Sequence, residues 1–179
     1  ARGVTIGGKK VRFELIAEDD AADPKQGTAA AQKLCDAKVN GVVGHLNSGT
    51  SIPASKIYND CGIPHISPSS TDPKLTQQGY KTTFRVLAND NALVAGLALH
   101  GVNNLKLKRI AIIDDRTAYG QGVADAVKAT MNAGGLNEIL YEGINAGEKD
   151  YAALVTKLKE LKADVVYFGG YHPEAGLIL

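Results

Sequence analysis

Hydroxyl side chains lie at the start of a predicted helix near the middle of the N-terminal half. Residues 45–51, HisLeuAsnSerGlyThrSer, follow a short apolar run and lead into a pattern of helical period. Ser48, Thr50 and Ser51 therefore lie where the free N–H groups and the positive dipole end of a helix favour an anion such as a carboxylate. The same hydroxyls can instead do no more than cap the helix, and the residues alone leave both possibilities open.

A second segment rich in hydroxyls follows the next apolar run. Residues 67–73, SerProSerSerThrAspPro, include Ser69, Ser70 and Thr71, which is more hydroxyl groups than a single turn needs. The segment is a candidate for binding a polar ligand. It can also be an ordinary Asx or Ser/Thr turn that leads into a short helix at residues 74–77.

Two tyrosines follow later apolar runs in the same way. Tyr119 comes after the run ArgIleAlaIleIle at 109–113, at the mouth of a helix, and Tyr171 leaves a strand just before a helix led by Pro173. An aromatic residue at a helix start can contact a ligand or can serve packing alone. Ligands of open α/β sheets bind at the carboxyl ends of the strands, so the four segments together form the candidate site.

Spacing argues against catalysis and against bound metal or nucleotide. Two residues too many precede Ser48 for a nucleophile elbow, so Ser48 is not expected to be a nucleophile. The chain has no complete dinucleotide fingerprint and no phosphate loop, and its four histidines lack metal-ligand spacing. We therefore expect no enzymatic activity, no metal and no cofactor.

The elements that must position these residues alternate between strand-length apolar runs and longer helical patterns, which is typical of βαβ units. We predict about six strands and place the first at residues 11–17, while the run at 164–169 is apolar enough to be central in its sheet. The predicted helices cover residues 24–37, 51–60, 74–77, 91–102, 119–133 and 151–162, with a further one beginning near Pro173.

The order of elements predicts two lobes, at residues 1–88 and 89–179, with a crossover near residues 87–91. Both ends of the sequence look cut: the first three residues are typical of a helix end, and the last seven are typical of a helix that has barely begun. We therefore expect the first lobe to lack its first strand and helix and the second lobe to be truncated. The chain is interpreted as a fragment.

The composition of the chain limits the classes of partner that we expect it to bind. Twenty basic residues against 19 acidic ones give a formal net charge of +1, so no strong field is available to hold nucleic acid or an acidic membrane surface. No apolar run reaches the roughly 20 residues of a membrane-spanning helix. Cys35 and Cys61 are too far apart in sequence for a CxxC motif, so each can be a buried apolar residue or half of one disulfide.

The segments resemble the periplasmic leucine/isoleucine/valine-binding proteins, the type I solute-binding proteins of branched-chain amino acid ABC transporters. The resemblance runs essentially end to end. It rests on six ordered blocks: AspProLysGln at 23–26, GlyHisLeu at 44–46, IleSerProSerSerThrAspProLysLeuThr at 66–76, ArgIleAlaIleIle at 109–113, AlaGlyGluLysAsp at 146–150 and TyrPheGlyGlyTyrHisProGlu at 167–174.

The resemblance implies two flavodoxin-like lobes that close on a small amino acid without chemistry, and an exported, periplasmic, monomeric protein that delivers the amino acid to a membrane permease. It also implies roles for individual residues. Ser48, the segment around Ser69 and Ser70, and Thr71 would hold the carboxylate and ammonium groups of the amino acid. Tyr119 and Tyr171 would be the aromatic residues that the second lobe closes over it.

Other members of this fold class keep alternatives open. The same architecture serves sensory receptors and transcriptional regulators, and related binding proteins take short amides, urea or aromatic acids.

The resemblance also bears on the cysteines. Some family members carry a disulfide at positions that Ala22 and Asn47 occupy here, so that bridge is absent. Cys35 and Cys61 end two helices that are expected to pack side by side. We therefore predict that they form a different disulfide, which an oxidising compartment permits.

Overall fold

The computed structural model describes residues 3–179, and the helix end predicted at the N-terminus includes Ala1 and Arg2, which lie outside the described residues. Two separate parallel sheets of three strands are flanked by helices. The first sheet has the order β3–β4–β5, with β3 at Val42–Val43, β4 at His65–Ser67 and β5 at Thr83–Arg85. The second has the order β7–β6–β8, with β6 at Ile110–Asp114, β7 at Leu140–Gly143 and β8 at Val165–Gly169. The predicted α/β class with parallel sheets is confirmed.

The helices begin and end close to the predicted residues. They are α1 at Pro24–Asp36, α2 at Ser48–Cys61, α3 at Lys74–Gln77, α4 at Asp90–Leu99, α5 at Ala118–Ala133, α6 at Ala152–Glu160 and α7 at His172–Ile178. The Asp23 side chain caps α1 by accepting a hydrogen bond from the Gln26 N–H at 2.8 Å. Gly62 ends α2 in the left-handed conformation, with φ of 71°, as a C-terminal glycine commonly does.

The strand predicted at residues 11–17 is wrong. The structure instead has an antiparallel hairpin of β1, Val4–Ile6, and β2, Lys9–Val11, whose turn is made by Gly7 and Gly8, both with positive φ. Residues 12–20 run on without regular structure, and Leu15 is 89% exposed. Alternating apolar residues form a strand only beside a partner edge, and residues 3–179 supply none for this segment.

The strand order of the second sheet also differs from the prediction. The run at 164–169 was predicted to be central, but β8 is an edge strand and β6, which is buried at all five positions, lies in the middle. One face of β6 packs against α5 through Val127 and Met131. The other packs against α6 through Leu154 and Leu158, as the helical pattern of this segment predicts.

The two helices of the first sheet cover only one of its faces. α1 and α2 pack over Val42 and Ile63, and the structure joins Cys35 at the end of α1 to Cys61 at the end of α2 in a disulfide, with Cα atoms 6.1 Å apart. The opposite face carries Val43, Ile66 and Phe84, which are paired across the three strands and are all exposed. We call these three residues the apolar row.

Candidate functional site

The N-terminus of α2 is open towards the second polar segment. Asn47 is at the N-cap position, but its side chain makes no capping bond. Ser48, the first residue of α2, is 2% exposed, and its hydroxyl oxygen accepts a hydrogen bond from the Asp72 N–H at 3.2 Å. The helix begins three residues earlier than the sequence predicted. The hydroxyl of Ser48 therefore ties the loop after β3 to the loop after β4.

A compact serine cluster lies beneath these two loops. The Ser51 and Ser70 hydroxyls are 2.6 Å apart, and that of Ser70 also lies 3.2 Å from the Leu46 carbonyl oxygen, to which it can donate. The Ser67 hydroxyl accepts from the Ser70 N–H at 3.0 Å. The Ser70 hydroxyl is thus engaged inside the protein, which supports a role for this residue in holding the loop in place.

Thr71 lies at the turn between β4 and α3, and it contacts a buried acid that sequence reasoning missed. The Asp90 N–H donates to the Thr71 carbonyl oxygen at 2.9 Å. Asp90 begins α4 and is 3% exposed, yet its Oδ2 atom has no hydrogen-bond partner among the described residues. Burial, together with the nearby Asp72 charge, raises the pKa of Asp90. A buried acceptor without a partner is a place for a donor that the protein does not supply.

The two tyrosines meet, as their position after two strands of one sheet predicts. Tyr119 lies in the first turn of α5 and Tyr171 precedes α7, with ring centroids 5.3 Å apart and planes inclined by 34°. Burial raises the pKa of both phenols, and the Asp90 charge adds to the shift at Tyr119. The Asp90 charge therefore acts on Tyr119 as well as lying beside Thr71.

One hydrogen bond joins the two halves of this region. The Asn47 side-chain amide donates to the Tyr171 hydroxyl at 2.8 Å, across 124 positions of sequence. This bond explains why Asn47 does not cap α2. Neither Asn47 nor Asp90 stood out in the sequence, since an amide at a helix start and an acid in a first turn are ordinary capping residues. Only their partners in the fold reveal them.

The carboxyl end of β6 is built on close backbone packing. The Asp115 Oδ1 atom accepts from the Thr117 N–H and hydroxyl at 2.9 and 2.6 Å, while Oδ2 is buried and unpartnered within residues 3–179. A Cβ at Gly120 would overlap Asp115 and the Gly169 carbonyl. The glycine therefore allows α5 to approach β8 and brings Tyr119 near Tyr171.

A cavity of about 1290 Å³ lies between residues 11–20 and β3, away from Tyr119 and Tyr171. Across residues 3–179 no group of three His, Cys, Asp or Glu side chains is placed to hold a metal ion. None of the helices in the described part is both long and apolar enough to cross a membrane.

Hydroxyl, amide, carboxyl and phenol groups thus gather at the carboxyl ends of two parallel sheets. Such a site offers hydrogen bonds and aromatic surface to a small polar molecule. This combination of fold and polar side chains is typical of proteins that bind small molecules.

Comparison with known proteins identifies the family. A sequence model described as periplasmic binding protein matches residues 1–179, so the chain belongs to the periplasmic binding protein family. This is a family of solute-binding proteins rather than a class of enzymes. An amino acid binding protein of Pseudomonas aeruginosa is 48% identical over 174 residues, which cover 96% of this chain and 46% of that protein. The Leu/Ile/Val-binding protein homolog 1 of Brucella suis is 46% identical over 97% of this chain and 46% of its own length.

A solved structure of a branched-chain amino acid substrate-binding protein is also similar to this chain. The branched-chain amino acid transporter substrate-binding protein LivJ of Streptococcus pneumoniae, in complex with isoleucine, superposes with a TM-score of 0.84 at 27% identity, covering 97% of this chain and 49% of that one. The resemblance to the leucine/isoleucine/valine-binding proteins is confirmed. The chain spans about half the length of the curated relatives that it matches.

Proposed function

We propose that this protein binds leucine, isoleucine or valine between its two sheets and delivers the amino acid to an ABC transporter permease. The observation that carries the proposal is the hydrogen bond from Asn47 to Tyr171. It shows that loops from both sheets meet, and the candidate residues Ser48, Thr71 and Tyr119 lie on the segments that meet there.

An α-amino acid presents two charged ends, and each needs charge-assisted hydrogen bonds when it leaves water. The uncapped N-terminus of α2 suits the carboxylate, because the first N–H groups of the helix have no side-chain cap. Ser48 lies at this terminus, and Ser69 and Thr71, on the segment that the Ser48–Asp72 hydrogen bond ties to it, are further candidate donors. This support is electrostatic and does not depend on the side chain of the amino acid.

Asp90 suits the ammonium end. Its Oδ2 atom is buried beside Thr71 without a hydrogen-bond partner among residues 3–179, and its charge acts on Tyr119. An ammonium group would supply the missing donor and would favour the ionised carboxylate, which burial alone disfavours. We therefore add Asp90 to the candidate ligand-binding residues and assign Ser70 to the support of its loop.

The aliphatic side chain needs only an apolar wall, which the rings of Tyr119 and Tyr171 are suited to supply. One methylene in such a wall changes the binding free energy by roughly 1 to 3 kcal/mol. We therefore propose a site that accepts all three branched-chain amino acids with modest preference.

The periplasm is the proposed location. Membership of the periplasmic binding protein family supports it, and so does the Cys35–Cys61 disulfide, because such bonds persist in oxidising compartments.

Calorimetric titration of the intact protein tests the function directly. Leucine, isoleucine, valine, acetamide, urea and benzoate are titrated under one set of conditions. We expect heat of binding with the three amino acids and none with the amide, urea or the aromatic acid. Binding of acetamide or benzoate without valine would contradict the proposal and would favour the corresponding alternative ligand class.

A further inference from the structure

A largely buried hydrogen-bonded chain of three side chains lies behind the candidate site, and the function proposed above assigns it no role. The His45 ring is 8% exposed, and both of its nitrogens are engaged. Nδ1 lies 2.6 Å from the Asp20 Oδ2 atom, and Nε2 lies 3.0 Å from the Tyr58 hydroxyl. These three residues come from the segment before α1, the loop after β3 and the last turn of α2.

The protonation states around His45 are consistent with one fixed ring orientation. Burial raises the pKa of Asp20, but hydrogen bonds from His45 and the Ala22 N–H outweigh it and lower the pKa overall, so Asp20 accepts as a carboxylate. Burial and the Asp20 charge raise the pKa of Tyr58 to about 12, so its hydroxyl keeps its proton. Nδ1–H then donates to Asp20, and Nε2 and the Tyr58 hydroxyl share the second hydrogen bond of the ring.

A second histidine supports the same stretch of backbone. The His65 ring lies with its centroid 6.0 Å from that of His45, and its Nε2 atom is 2.7 Å from the Gly44 carbonyl oxygen. Burial lowers the pKa of His65 to about 4, so the ring is neutral at ordinary pH and can donate one hydrogen bond to this carbonyl.

The backbone carbonyl of His45 is one of the points at which the two polar segments are joined. It lies 3.2 Å from the Ser51 hydroxyl, 3.4 Å from that of Ser70 and 3.5 Å from that of Ser67. Ser51 belongs to α2, while Ser67 and Ser70 belong to β4 and the loop after it. The orientation of one peptide group therefore affects both candidate ligand loops.

We propose that His45 is a positioning residue: Asp20 and Tyr58 lock its ring, and the locked residue aims its carbonyl so that the 45–51 and 67–73 segments keep the spacing that a ligand requires. The inference rests on the proposed function, since that function places the ligand against these two segments. It assigns to His45 no contact with the ligand itself.

Substitutions that restore one of the two ring contacts separate positioning from simple packing. His45→Phe keeps a ring but removes both hydrogen bonds, whereas His45→Asn places an amide N–H near the position of Nδ1 and keeps the bond to Asp20. We expect His45→Phe to weaken valine binding about tenfold, the affinity equivalent of one buried hydrogen bond, and His45→Asn to recover most of that loss. Tyr141→Phe is the matched control, because it removes a 2.8 Å hydrogen bond from Tyr141 in β7 of the other sheet to Asp125 in α5.

Amide NMR of the ligand-free protein provides a readout that does not need a ligand. In His45→Phe the Ser51 and Ser70 amide signals should shift, and in His45→Asn they should return towards their original positions, while Tyr141→Phe leaves them in place. Unshifted signals in His45→Phe would overturn the inference, as would equal losses of affinity in the Phe and Asn variants. Absence of valine binding by the unsubstituted protein would count against the proposed function, and the NMR comparison would then decide the positioning role alone.

Discussion

Thr71 links the polar turn of the first sheet to Asp90 through its backbone, and its hydroxyl, which also acts on the Asp90 carboxyl group, is a candidate donor to a ligand. Thr71→Val keeps the shape of the side chain and removes its hydroxyl. We expect valine binding to weaken by roughly 1 to 3 kcal/mol, because a partner group in the closed site would lose its hydrogen bond. Titration calorimetry measures the change. Thr156→Val on the exposed side of α6 is the control, and unchanged affinity in a folded Thr71→Val variant would assign Thr71 to the turn alone.

Asp90 is expected to lower the stability of the folded protein near neutral pH and to strengthen ligand binding. Its raised pKa means that the folded protein favours the protonated acid, so its contribution to stability is complete below the unfolded pKa and is lost as the pH rises through the folded pKa. Asp90→Asn should therefore be more stable than the unsubstituted protein near neutral pH. It should also bind valine more weakly by about 1.5 to 3 kcal/mol, the range for hydrogen bonds to charged groups.

Urea unfolding at a series of pH values, combined with calorimetry, tests both halves of the Asp90 prediction. Asp164→Asn is the control, because its effect on stability should change with pH in the opposite direction. Backbone hydrogen bonds from Arg109 and Lys108 lower the pKa of Asp164, so its contribution is present above its unfolded pKa and is lost as the pH falls through the folded value. Full affinity for valine in Asp90→Asn would remove this residue from the candidate site.

At the scale of elements, the crossing of α5 over β8 depends on Gly120. A side chain at this position would overlap the Asp115 carboxylate and the Gly169 carbonyl. We expect Gly120→Ala to lower the free energy of unfolding by about 1 to 3 kcal/mol despite the better helix propensity of alanine. Gly96→Ala in α4 meets nothing within 4 Å and should stabilise by about 0.5 to 1 kcal/mol. Thermal unfolding compares the two, and equal effects would contradict the close approach.

The elements that sequence reasoning predicted well are those whose signals are local. The start of α1 follows from Asp23 and Pro24, and the end of α2 follows from Gly62, because each acts on its own turn of backbone. Strands depend on distant partners. The segment 11–17 has the alternation of a strand but no neighbouring edge among residues 3–179, and β8 has a central composition in an edge position.

The same distinction applies to the candidate site. The four polar segments could be located from the strands that precede them, and the meeting of Tyr119 with Tyr171 follows from their place at one end of one sheet. The roles of Asn47, Asp90 and His45 could not be inferred, because each depends on a partner far away in sequence or on a hydrogen bond left unmade. Their residue types are common in loops, so the sequence offers no signal that distinguishes them.

At the scale of the whole molecule, the disulfide should contribute measurably to stability. Cys35 and Cys61 are separated by 26 positions in the sequence, for which loop-closure entropy gives about 3.5 kcal/mol. Reduction by dithiothreitol should therefore lower the melting temperature by about 7 to 14 °C. Scanning calorimetry with and without reductant measures this. The double variant Cys35→Ala, Cys61→Ala should not respond to reductant, and an unchanged melting temperature on reduction would mean that the bridge adds nothing.

The two faces of the first sheet differ in how far they are covered. α1 and α2 bury one of its faces, while the apolar row of Val43, Ile66 and Phe84 remains open on the other, with Val43 78% exposed. Parallel sheets are ordinarily covered on both faces. The residues described thus place the polar loops on a sheet whose stability comes from one side only.

α2 has a different kind of anchor at each of its ends. Cys61 is bonded covalently to α1, whereas the first turn, beginning 13 positions earlier at Ser48, is held by hydrogen bonds such as those from the Asp72 N–H to Ser48 and from the Ser51 hydroxyl to the His45 carbonyl oxygen. Breaking the disulfide should therefore loosen the Cys61 end of α2 and leave the hydrogen bonds at its other end in place. The segments proposed to bind the ligand would then keep their geometry when the bridge is reduced.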